Sequence, residues 1–136
     1  MRFLARAMLI INLIICGLVG VISIVDPGGT AGMIGYSFTG PKGTAEFVTV
    51  YGGAYIGLAA FLIVALRKPR YLEAALGVLA LIATGAMLAR LGGWLILGSE
   101  AAITRQLLYT EIGWALSGWI GWAAAWWANA GPEDAR

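Results

Sequence analysis

Thr44-Ala45-Glu46-Phe47-Val48-Thr49-Val50-Tyr51-Gly52-Gly53-Ala54-Tyr55-Ile56-Gly57 begins the stretch around which this chain is organised, and apolar residues carry it on to Arg67-Lys68-Pro69-Arg70. From Phe47 to Leu66 there are 20 residues without a formal charge. At about 1.5 Å per residue such a helix crosses a hydrocarbon core of roughly 30 Å. Thr44 is expected as N-cap and Glu46 in the first helical turn, where a carboxylate suits the helix dipole. The basic cluster then stops the helix and starts the next, with Pro69 at a position a helix start tolerates.

Composition extends this reading to the whole chain. Of its residues 60% are hydrophobic and only 12% charged, against roughly 25% charged in soluble domains. We expect an all-α integral membrane four-helix bundle, a single domain over 1-136 with spans at about 4-25, 45-66, 71-94 and 107-128. The first run, Ala7 to Val25, has 19 uncharged residues. It is longer than a signal-peptide core of about 7 to 15 residues and is read as a span. Between it and the second span lies a glycine-rich connection, Asp26 to Gly43, read as a turn followed by a loop on the membrane surface.

Orientation follows from the basic residues. With the N-terminus inside, Arg2, Arg6, Arg67, Lys68, Arg70 and Arg136 fall on the inner side, and only Lys42 and Arg105 fall outside. Both termini are therefore expected in the cytoplasm of a bacterium, the protein being multi-pass in the inner membrane. Trp126 and Trp127 would lie in the inner aromatic belt and Trp94 near the outer one.

Several chemistries are closed to this chain. It has no histidine and one cysteine, Cys16, so imidazole metal sites, His-ligated haem, His-based catalysis and an internal disulfide are excluded. No metal, cofactor or catalytic set is expected, and an enzyme is the less favoured class. A net charge of +2 with cations at span ends gives no nucleic-acid footprint. Gly52-Gly53 and Gly92-Gly93 lack the lysine and hydroxyl context of a phosphate loop.

Three ionisable residues remain at membrane depth: Glu46, Arg90 and Glu111. Counted along their helices they lie roughly 24 to 32 Å from the inner boundary, in the outer third. An arginine there costs about 3 kcal/mol or more unless it is paired or reaches water. The expected arrangement is Arg90 held between Glu46 and Glu111, tying spans two, three and four together. Two carboxyls against one guanidinium would leave a proton handle, or an anchor for a polar ligand group. A lipid- or quinone-like apolar ligand would then enter near Tyr51, Tyr55, Trp94 and Trp114.

Helical spacing supports the packing half of this reading. Glu46, Val50, Gly53 and Gly57 recur at i, i+4, i+7 and i+11, so Gly53 and Gly57, with neighbouring Gly52, would let another helix approach closely. Glu111, Ala115, Gly118 and Trp122 repeat the pattern in span four. In span one, Asn12, Cys16, Gly20 and Ser23 form a small, polar stripe able to hydrogen-bond across the bundle.

Taken in order, Glu46, Tyr51-Gly52-Gly53, Gly57, Arg67-Lys68-Pro69-Arg70, Ala89-Arg90 and Glu111 form a set that resembles the small bacterial membrane proteins grouped as domain of unknown function 4345. The layout is also loosely similar to DoxX-like membrane proteins. The first resemblance implies a four-span fold with Glu46, Tyr51, Gly52, Gly53, Arg90 and Glu111 as signature positions, and it implies no activity. Two functional classes follow from the sequence. The leading one is a structural or accessory membrane protein associating with itself or a larger membrane complex. The other is a ligand-binding or proton-coupled protein. A cavity opening from the outer loop or the lipid toward Glu46 and Glu111 would favour the second, a closed apolar core around Arg90 the first.

Overall fold

The computed structural model describes residues 1–97 and 102–130, and all its regular elements are helical. The polar connection expected at 98–106 lies partly, and the tail 131–136 wholly, outside the described residues. Helix α1 spans Arg2–Val25 and α2 Pro27–Met33. Then α3 (Pro41–Phe47), a π-helical segment (Val48–Ala54) and α4 (Tyr55–Arg67) run as one continuous rod. A 3₁₀ turn at Pro69–Tyr71 leads into α5 (Leu72–Leu97), and α6 covers Ala102–Asn129.

Three stretches are long and apolar enough to cross a membrane: Arg2–Val25, Pro41–Arg67 and Pro69–Ile96. Their outward faces are apolar too, with Ile14, Leu18, Val21, Ile63, Leu81 and Leu88 all exposed. That pattern suits a chain whose solvent is hydrocarbon, where every backbone group must be satisfied within a helix. Helix α6 is long enough as well, but tryptophan, glycine and polar residues dilute its hydropathy.

Helix α1 is the centre of the assembly, not the Thr44–Tyr71 rod from which the sequence was read. The α3–π–α4 rod packs on one side of α1 and α6 on the other, while α5 packs chiefly on α6. Gly20 meets Ile56 and Gly52 meets Ile24, which makes α1 and the rod antiparallel. Met8 against Gly121 and Asn12 against Ser117 make α1 and α6 antiparallel as well. The small stripe of α1 is the buried one: Ala5, Leu9, Asn12, Cys16, Gly20 and Ser23 all face inward. Asn12 Nδ2 donates to the Met8 carbonyl at 2.7 Å and to Ser117 Oγ at 3.1 Å, a polar lock between α1 and α6.

The closed core fills one end only. Ala5 and Leu9 of α1, Leu62 and Ala65 of α4, Leu72, Leu76 and Leu79 of α5 and Ala124 and Ala125 of α6 form one buried cluster. At that end Asn129 Nδ2 donates to Glu73 Oε2 at 2.9 Å, fixing the end of α6 to the start of α5.

Local structure departs from expectation at four places. The connection after α1 is not a plain loop, because Asp26 caps α2 by accepting from Gly29 N–H at 2.9 Å and Pro27 takes the first helical position. Gly35, with φ of 82°, then reverses the chain. The rod starts at Pro41 after Gly40, so Thr44 is inside α3 and is not its cap, and the first turn carries no acid. Helix α5 continues through Gly92-Gly93 to Leu97.

The fourth departure is the π segment. Its i→i+5 bonds add a residue to the turn, which rotates everything beyond it by about 100° relative to a regular helix. The face that carries Glu46, Val50, Gly53 and Gly57 points outward along its whole length: Glu46 and Val50 are exposed, and a Cβ on Gly53 or Gly57 meets nothing within 4 Å. Gly52 takes the contact, and a Cβ there would come 2.6 Å from Ile24 Cγ1. Gly118 does pack as spacing suggested, its would-be Cβ lying 2.8 Å from the Ala80 backbone.

These two environments give opposite outcomes for the same substitution. Gly118→Ala should lower the thermal midpoint of detergent-solubilised protein, by the equivalent of about 1 to 3 kcal/mol for overpacking against backbone. Gly57→Ala should leave it unchanged or raise it by up to about 1 kcal/mol through helix propensity.

Candidate functional site

Opposite the closed core the helices form a half-open cavity of about 710 Å³. Small-molecule sites typically measure about 300 to 1,000 Å³. One wall is α1, where Ile11, Ile15, Val19 and Ile22 recur at i, i+4, i+8 and i+11, each one residue before the buried stripe. Thr30, Met33 and Ile34 close the mouth from α2 and the residue after it. The Thr30 hydroxyl donates to the Asp26 carbonyl at 2.7 Å and lies 3.1 Å from that of Ile22, which seats α2 on the end of α1.

Opposite α1, α5 and α6 contribute Arg90 and Glu111. Arg90 Nε donates to Glu111 Oε2 at 2.7 Å and Nη2 lies 2.7 Å from Oε1, a bidentate fork. The side chains are 29% and 14% exposed, and that exposure faces the cavity they line. A cation and an anion at this depth thus neutralise each other while remaining within reach of a small molecule.

The third wall is aromatic. Phe47, Tyr51 and Tyr55 follow one another along the rod at four-residue spacing, with ring centroids 4.6 and 6.2 Å apart, and Tyr55 stacks on Trp114 of α6 at 6.0 Å. Tyr36 and Phe38, from the segment after α2, lean on Phe47 at 6.4 and 5.4 Å. Aromatic contacts of this kind each contribute about 0.5 to 1.5 kcal/mol beyond area burial. The row therefore holds the rod against α6 across the cavity where backbone contact between them is lacking.

Of the residues singled out in the sequence, Tyr51, Tyr55, Arg90, Glu111 and Trp114 line this one cavity. Glu46 does not: it is exposed on α3, and among the described residues its carboxylate makes no ion pair. The reason lies in the helix start, because the rod begins at Pro41 and its first segment, α3, packs on α2. The expected cluster of two carboxyls and one guanidinium is thus a one-to-one pair. It joins α5 to α6 and not three helices, and the surplus carboxyl that suggested a proton handle is gone from it. Trp94 is 37% exposed and outside the cavity lining.

Sequence reasoning missed Ile11, Ile15, Val19 and Ile22 as a wall, and Thr30, Met33 and Ile34 as a roof. The period-of-four row of isoleucines was visible, but it reads equally as lipid-facing surface. Trp114 Nε1 and Ser23 Oγ are buried without a partner among the described residues. Neither atom is accessible from the cavity, so both stand as local costs of packing.

The sequence profile of a domain of unknown function, DUF4345, matches residues 4–123. The chain belongs to this family. No curated protein and no solved structure matches it. Within the DUF4345 match fall all of α1 but its first two residues, the rod, α5, and α6 through Trp122 to Ala123, so the whole cavity lies inside the family domain.

Replacing Arg90 with Met would strand the Glu111 carboxylate. The expected loss is about 2 to 3 kcal/mol, at the low end for a broken buried pair because the guanidinium is partly exposed. Arg90→Met with Glu111→Leu should recover most of it. A double-mutant cycle on thermal midpoints measures the coupling, and additive losses would mean that the pair does not hold α5 to α6.

Proposed function

We propose that this chain is a multi-pass protein of a bacterial inner membrane that binds one apolar molecule with a polar end, held beside the Arg90–Glu111 pair. The observation that carries this reading is the cavity of about 710 Å³, apolar on most of its wall and containing one closed ion pair. A helical assembly that served packing alone would gain by closing on Arg90, since empty volume forfeits dispersion contacts and each void is destabilising.

In this reading α6 is a fourth span and both termini are cytoplasmic. Support comes from the antiparallel order of contacts between α1 and the rod, α1 and α6, and α5 and α6. Arg2, Arg6, Arg67, Lys68 and Arg70 then share the end of the assembly where the closed core lies, and the cavity opens toward the outer leaflet. No catalytic set is proposed, and neither a metal nor a cofactor.

Ala86 lines the cavity one helical turn before Arg90 and makes no part of the ion pair itself. Intact-particle mass spectrometry of protein carried in native lipid should show a bound amphiphile on the wild type, and Ala86→Phe should remove it while the thermal midpoint holds. A wild-type particle of bare polypeptide mass in every preparation would defeat the proposal.

A second reading, association with another copy or with a larger membrane complex, has its own support. Gly53 and Gly57 present an open, small-residue face on the outside of the rod. Faces of this kind let helices in lipid approach closely. Leu at both positions should convert a self-associated particle to monomer in the same mass measurement, with the cavity ligand retained. A wild-type protein that is monomeric at every concentration in lipid would count against self-association.

A further inference from the structure

Arg90 and Glu111 enter the cavity wall as a closed unit of zero net charge. Of the five N–H donors on a guanidinium the pair takes two, leaving an edge of the group toward the cavity. Among the lining residues Arg90 is the only cation and Glu111 the only anion. The other polar groups are hydroxyls, and three of those already donate to backbone: Thr30 to Asp26, Thr110 to Gln106 and Ser117 to Trp114. The donors that remain are the guanidinium edge and the phenol of Tyr55.

Resting on the ligand-binding reading above, we infer that the cavity selects an uncharged amphiphile, with a hydrogen-bond-accepting oxygen at its head, over one headed by a carboxylate or phosphate. An anionic head brought to the guanidinium edge also meets the Glu111 carboxylate, whose oxygens are only 2.7 Å from the same group. Attraction and repulsion then largely cancel, and the cost of taking the anion out of water is left without compensation. A carbonyl, ether or hydroxyl oxygen carries a far smaller desolvation cost and accepts the same N–H.

The body of the ligand is placed by the isoleucine row. Ile11 to Ile22 is a track about 17 Å long at the helical rise, running from the cavity mouth beneath α2 down α1. Tyr51, Tyr55 and Trp114, stacked on one another, line the same cavity. One branched or ring-bearing apolar chain fits between these surfaces, with its head at Arg90 near the mouth.

Farnesol and farnesyl phosphate share one apolar chain and differ in the charge of the head. Each is titrated into phosphatidylcholine nanodiscs carrying the wild-type protein, read by quenching of tryptophan fluorescence and corrected against empty nanodiscs. Farnesol should bind at least about ten-fold more tightly, the neutral head escaping the uncompensated desolvation of the phosphate. Glu111→Gln frees the guanidinium charge while leaving an amide oxygen to accept from it, and should raise farnesyl phosphate affinity about ten-fold, with farnesol changed little. Farnesyl phosphate binding the wild type as tightly as farnesol, or more tightly, overturns this inference and leaves the ligand-binding reading standing. Saturable binding of neither probe overturns both. The wild-type comparison decides the matter even where Glu111→Gln fails to fold.

Discussion

The close approach of α1 to its two neighbours is the constraint on which the remaining structure depends. Gly20 and Gly52 bring the rod near α1, and Asn12 with Ser117 fixes α6 against it from the other side. In hydrocarbon the hydrophobic effect does not press helices together, so close packing of small residues and hydrogen bonds between helices must do it. Helix α1 supplies both from a single stripe. Each partner therefore takes its position from α1, and α5 takes its own from α6.

From that arrangement the cavity follows. The rod and the α5–α6 pair are both held to α1 and touch each other mainly at the end where the chain turns through Lys68 and Pro69. Alanine and leucine close that end. Toward the other end the residues become larger and ring-shaped, and the rod reaches α6 through Tyr55 and Trp114. The aromatic row thus works as a spacer as well as a contact, holding open the volume that α2 covers. The π segment sits at the same level and turns Tyr51 and Gly52 to their separate tasks, one toward the cavity and one toward α1.

Much of this was legible in the sequence, and the parts that were not have identifiable causes. Helicity, membrane character and the small stripe of α1 follow from composition and a period of 3.6, both local properties. The Arg90–Glu111 partnership follows from cost, because an arginine at that depth must find an acid on a neighbouring helix. What failed was the choice of face on the rod. Glu46, Val50, Gly53 and Gly57 do share a face, but it points outward, and the row of Phe47, Tyr51 and Tyr55 is the one that meets the other helices; the π segment between them was not expected either. The residues Val48-Thr49-Val50-Tyr51-Gly52-Gly53-Ala54 carry a partial signal, since β-branched residues beside a glycine pair weaken the regular ladder. Asp26-Pro27 was likewise ambiguous: the dipeptide suits a turn and equally an N-cap with proline at the first helical position. Only contact with the end of α1 settles that choice, and contact is a tertiary property.

An ion pair facing a cavity behaves differently from one sealed in a core. In a sealed site the guanidinium and carboxylate would satisfy each other, and only stability would register their loss. Beside a cavity the same pair also sets the potential felt by whatever enters. Arg90 alone would make the site a trap for anions, and Glu111 alone would repel them. Held in a fork at 2.7 Å the two cancel at a distance and leave only short-range donors, so recognition passes from charge to hydrogen-bond geometry. Had Glu46 joined them, the pocket would have carried a net negative charge and favoured a cation or a proton. Its place on α3, outside the cavity, is therefore as consequential for the chemistry of the site as the pair itself.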